Sequence, residues 1–118
     1  MTDFPDYNNV YGHVIAPNGL TTVLENVRGT AGVRKAGIKV SGYDGSESLI
    51  LSGDLIEFES EPIENDEHLL KGCIAGTIEE IIIFIGQLSH ALSEAKLDHH
   101  FEVYNEEQIL IKEFPDLS

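Results

Sequence analysis

The segment Thr77–Leu92 constrains the fold of this chain more than any other. Ile78, Ile81, Ile82, Phe84, Ile85, Leu88 and Leu92 recur at helical spacing and cover a stripe about 160° wide on a helical wheel. Thr77 stands three positions before Glu80, a capping box that satisfies orphan N–H groups at a helix start, and Glu79 and Glu80 complement the positive end of the dipole. Lys96 follows at the far end, where a cation is favoured. A stripe that broad packs onto a sheet, so one long helix lying on a sheet is predicted. Gly86, which costs about 1 kcal/mol in a helix interior, reads as a point of close approach.

The remaining chain supplies the sheet. Residues 1–9 read as a loose lead-in and Val10–Ala16 as a short strand. Pro17-Asn18-Gly19 is a turn. Leu20, Val23, Leu24 and Val27 keep helical spacing, with Thr22 and Glu25 as a second capping box, although the threonines and valines also suit a strand; a short helix ended by Gly29 is the expectation. Residues 37–75 read as an antiparallel meander of four strands. Its turns are a two-residue hairpin at Asp44-Gly45, a second tight turn at Gly53-Asp54 and a charged loop over Pro62–Glu67, and its last strand is His68–Ala75. After the helix, Phe101–Tyr104 and Gln108–Phe114 form a closing hairpin around Asn105-Glu106. The chain is thus expected to be a single α+β domain over residues 1–118, built on one mostly antiparallel sheet.

Charge is unevenly distributed. Of the net −14, residues 1–39 contribute a balance of +1 and residues 40–118 a balance of −15. An anionic body repels nucleic acid and anionic membrane and attracts cationic partners. The 42% hydrophobic fraction suffices for a core. One cysteine, Cys73, rules out an internal disulfide and suits a reducing compartment. The opening residues are no secretory signal, and the longest apolar run, Ile81–Ile85, is far shorter than the ~20 residues of a membrane span. A cytoplasmic location is expected.

The sharpest chemical feature is the strand Leu55–Glu61. Ile56 and Phe58 point one way; Glu57, Glu59 and Glu61 point the other, roughly 6.7 Å apart in a row. Glu64, Asp66 and Glu67 extend it to six acids and no base over residues 57–67. Such a row either docks an Arg/Lys-rich surface or is the solvated face of an edge strand. Calcium is disfavoured, since the Asp-x-Asp-x-Asp-Gly loop is missing. Ile83 projects from the polar helix face between Glu79, Gln87, His90 and Glu94, and is expected to be covered by a partner, a subunit or a second layer.

Other groups carry less. Asp98-His99-His100 with nearby Glu102 has a metal-like composition, but neighbouring histidines on a strand face opposite sides, so no metal and no cofactor are expected. His90 and Glu94 form an ordinary i, i+4 pair. Cys73 lacks an activating neighbour and reads as an inert thiol. The stretch Arg28–Lys35 mixes glycines with cations but matches no phosphate-binding pattern.

Three function classes follow. The leading one is a small acidic binding module that neutralises a basic protein through Glu57, Glu59, Glu61, Glu64, Asp66 and Glu67, with Ile83 as a further contact. In size, acidity and α+β layout the chain is similar, as a class, to bacterial immunity proteins of toxin–immunity pairs; no shared motif carries that resemblance. The alternatives are a small enzyme or ligand-binding domain with a pocket between sheet and helix, drawing on groups such as Tyr11, His13, Tyr43 or His90, and a homo-oligomeric module such as a homodimer.

Overall fold

Seven strands form one antiparallel sheet in the order β2-β3-β4-β5-β1-β6-β7 in the computed structural model, which describes residues 9–17, 19–64 and 66–114, the Glu64 side chain excepted. The elements in chain order are β1 (Val10–Ile15), α1 (Leu20–Val27), β2 (Lys35–Val40), β3 (Glu47–Ser52), β4 (Ile56–Glu64), β5 (Glu67–Ile74), α2 (Ile78–Glu94), β6 (His99–Tyr104) and β7 (Leu110–Phe114). The fold is therefore α+β. Strands β2 to β5 pair in sequence, as a meander does, but β1 returns to lie between β5 and β6, joining the meander to the closing hairpin. That strand alternates strictly between buried and exposed positions, with Val10, Gly12 and Val14 turned to the core.

Helix α2 starts as its sequence dictates. The Glu80 N–H donates to Thr77 Oγ1 at 3.2 Å and the Thr77 N–H donates to Glu80 Oε1 at 2.9 Å. Ile81, Phe84, Ile85, Leu88 and Leu92 are buried, whereas Ile78, the first residue of the helix, is 36% exposed. Where the chain passes Gly86, a Cβ would stand 3.3 Å from the Phe114 ring, so the missing side chain lets β7 close against the helix. Helix α1 forms over Leu20–Val27 and buries Leu20, Val23 and Val27. Its N-cap is Gly19 with no side-chain cap; Thr22 lies inside the helix, so the Thr22/Glu25 box does not form.

Both helices lie on one face of the sheet, over a core that includes Leu49, Leu51, Phe58, Phe101 and Val103. Several expected boundaries are corrected. Pro62–Glu67 is not a loop: β4 runs to Glu64, β5 begins at Glu67, and Pro62 is accommodated by a bulge between Pro62 and Glu64. The β2–β3 turn is longer than two residues, because the Ser41 N–H closes it by donating to the Ser46 carbonyl at 2.8 Å around a four-residue loop. Asn9 is not loose but 4% exposed and hydrogen-bonded to β5, while residues 1–8 lie outside the described residues. No helix among the described residues is long and apolar enough to cross a membrane.

Candidate functional site on the open sheet face

With both helices on one side, the other face of the sheet has no second layer among the described residues. Strand alternation decides what it presents. On β4, Ile56, Phe58 and Ser60 are buried while Glu57, Glu59 and Glu61 are exposed on the open face. The strand is not an edge, as the solvated-edge alternative supposed; it is paired to β3 and β5. Strand pairing sets Lys71 directly across from Glu59, and its Nζ lies 3.2 Å from Glu61 Oε1. The carboxylate row thus carries one inset cation.

Register brings further carboxylates to the same face. Glu67 stands across from Ile15, and Glu102 lies between Tyr11 on β1 and Glu113 on β7. From β4 to β7 the open face therefore holds Glu57, Glu59, Glu61, Glu67, Glu102 and Glu113. Exposed or half-exposed apolar groups sit among them, with Tyr11, Ile15 and Leu69 on β1 and β5. Asp66 is exposed in the β4–β5 turn; the Glu64 side chain lies outside the described residues. Lys35 and Lys39 are on the same face at the β2 edge, across β3 Ser52 and Ser48. Two strand spacings, about 10 Å, separate them from the acidic row.

Ile83 is elsewhere. It is 60% exposed on α2, on the far side of the sheet from the glutamates, and nothing among the described residues covers it. It walls a cavity of about 550 Å³ with Val33, Leu55, Ile56, Ile74 and Phe84. This cavity lies between the 31–34 loop, the β3–β4 turn and α2, and none of Tyr11, His13, Tyr43 and His90 lines it. Sequence reasoning missed its loop wall because Arg28–Lys35 carries no periodic pattern. Its charged groups are already paired or hydrogen-bonded: Arg34 Nη2 lies 2.9 Å from Asp54 Oδ2, and Glu80 is held by Thr77. The hydrogen bonds from Thr77 keep the Glu80 carboxyl below its ordinary range, so it is no proton donor at neutral pH.

The remaining candidates fall into structural roles or into one cluster. His99 turns inward, its Nδ1–H donating to the Leu97 carbonyl at 2.8 Å and its Nε2 lying 2.7 Å from Ser89 Oγ. Next to it, His100 turns to the open face, as strand alternation requires, opposite His13 of β1. His90 Nε2 lies 3.6 Å from Glu94 Oε1 on the exposed side of α2. Burial, and then the Glu57 carboxylate opposite, push the Cys73 thiol above its ordinary 9.0, so it is protonated and unreactive at neutral pH. Tyr43 is fully solvated in the β2–β3 loop. No protein family, no characterised protein and no solved structure is found to match the chain.

Proposed function

We propose that this chain is a binding module that neutralises a basic protein, docking it on the open face of the sheet. One observation carries the reading: six glutamates from β4, β5, β6 and β7 share a single uncovered face with Lys71 inset among them. Such a field speeds the encounter with an Arg/Lys-rich surface and fixes its orientation. Tyr11, Ile15 and Leu69, set among the acids, supply the desolvated anchors that charge alone does not. Docking of this kind blocks the partner's surface sterically and needs no cofactor.

Glu57→Gln/Glu59→Gln/Glu61→Gln tests this. The triple variant and the parent chain serve as baits for basic proteins at low salt, and each retained species is then measured by stopped flow. The reading expects a partner held by the parent alone, with k_on reduced about ten-fold or more in the variant and its salt dependence flattened. Equal retention and equal k_on by the two baits would remove the acidic face from the account.

The cavity beside Ile83 supports a second reading, the binding of an apolar small molecule, since its volume falls within the few hundred Å³ usual for such ligands. Thermal-shift screening separates the two: a ligand that raises the melting temperature of the parent but not of Phe84→Ala would favour the cavity.

A further inference from the structure

At the opposite end of the open face from the β4 row, three side chains converge. A ring nitrogen of His100, a Glu102 carboxylate oxygen and a Glu113 carboxylate oxygen all lie within 4.8 Å of one another. All three side chains are half-buried on the sheet rather than waving in solvent. We propose that His100, Glu102 and Glu113 form a binding site for a divalent first-row transition ion of the zinc type, with His13 as the available fourth donor.

Backbone pairing fixes the arrangement. Glu102 and Glu113 are direct cross-strand partners on β6 and β7, and His13 and His100 are direct partners on β1 and β6. His100 and Glu102 are two residues apart on β6 and so share a face. Cβ atoms of such cross-strand partners stand about 5 Å apart, which lets each pair reach a common ion by rotamer change alone. His100 Nε2 lies 3.9 Å from Glu102 Oε2, longer than a direct hydrogen bond. Two ligands on one tetrahedral zinc stand about 3.4 Å apart with bonds near 2.0–2.1 Å, so a small contraction completes the set.

Two further observations point to a cation there. Carboxylates directly opposite each other on an antiparallel pair repel, and an ion between them turns the repulsion into attraction. Tyr104 donates its hydroxyl to Glu102 Oε1 at 3.2 Å, leaving Oε2 for the His100 side; this is how an outer-shell partner orients a metal ligand. Tyr104 is itself braced edge-to-face by Tyr11, with ring centroids 5.8 Å apart. The mixture of imidazole nitrogen and carboxylate oxygen, without thiolate, matches zinc and its neighbours rather than calcium or magnesium. Three protein donors leave one tetrahedral position open when His13 does not fill it.

Glu102 and Glu113 also belong to the proposed docking face, but they lie away from its β4 row. Glu59 and Glu102 are three strand spacings apart, about 14 Å, so metal binding and loss of the β4 carboxylates are measured separately. The test is calorimetric titration of the full chain with ZnCl2, repeated on His100→Ala, Glu113→Gln, Tyr104→Phe and His90→Ala, with the melting temperature of each metal-free variant recorded. One ion per chain is expected, with His100→Ala and the isosteric Glu113→Gln each weakening it more than ten-fold. Tyr104→Phe should weaken it about ten-fold through the outer shell, and His90→Ala should leave it unchanged. Binding that survives both His100→Ala and Glu113→Gln, that falls equally in His90→Ala, or that requires zinc above about 1 mM would overturn the assignment. The triple Gln variant of β4 should keep its zinc affinity.

Discussion

Asn9 and Ile74 hold each other through both polar ends of one side chain. Asn9 Nδ2 donates to the Ile74 carbonyl at 2.9 Å, and the Ile74 N–H donates to Asn9 Oδ1 at 2.9 Å. The Asn9 backbone bridges in the same way: its N–H donates to the Gly72 carbonyl at 3.1 Å and its carbonyl accepts from the Tyr104 N–H at 2.8 Å. One residue therefore ties the start of β1 to both neighbouring strands. Asn9→Ala leaves two buried backbone groups unpaired, which costs about 3 kcal/mol in total. Thermal unfolding should show a melting temperature lower by roughly 10 °C; a change under about 2 °C would mean that water replaces the amide at no cost.

Gly12 faces Phe101 across the β1–β6 ladder, and a Cβ at position 12 would collide with the Phe101 ring. Phe101 is fully buried, so the ring has little room to retreat. Gly12→Ala should destabilise by about 1–3 kcal/mol through overpacking. In a Phe101→Leu background the same substitution should cost less, and a double-mutant cycle by urea denaturation measures that coupling. Additive losses would place the strain somewhere other than this pair.

What the sequence disclosed follows the range of the interactions. The α2 stripe, the Thr77–Glu80 box, the alternation along β4 and the opposite facing of His99 and His100 are set by residues one to four positions apart, and each is legible in the chain. The position of β1 between β5 and β6 is not, because pairing Val10 with both Gly72 and Val103 depends on contacts more than sixty residues away. The same limit hid the meeting of His13 with His100 and of Glu102 with Glu113, and it placed Ile83 in one candidate set with glutamates on the far side of the sheet. Pro62 misled locally, since a bulge lets a strand carry it.

His68 gives the fold a pH dependence. Burial holds its ring below the ordinary 6.5, against the opposing pull of Asp66 and Glu47, and its Nδ1 is shielded with no hydrogen-bond partner among the described residues. The unfolded chain therefore takes up this proton at a higher pH than the folded one. The neutral ring's contribution to stability is complete above the ordinary 6.5 and is lost as pH falls from there through the lower folded value. Urea midpoints at about pH 7.5 and about pH 5.5 should differ less in His68→Gln than in the parent chain. An identical difference in both would assign the slope to other groups.

Lys71 tests the field of the open face without disturbing the fold. Its ion pair with Glu61 is exposed, with side chains 40% and 53% accessible, and an exposed pair is worth between nothing and about 1 kcal/mol. Lys71→Gln should hence leave the melting temperature nearly unchanged while removing the inset cation from the row of Glu57, Glu59 and Glu61. Association with an oligolysine peptide at low salt should speed up about two- to five-fold, and the gain should vanish near 1 M salt, where charges are screened beyond roughly 3 Å. In the triple Gln background, where the row is gone, the substitution should have a much smaller effect on the same rate. A gain of equal size in both backgrounds would show that the peptide senses net charge alone, and the arrangement of carboxylates along β4 would then play no part in recognition.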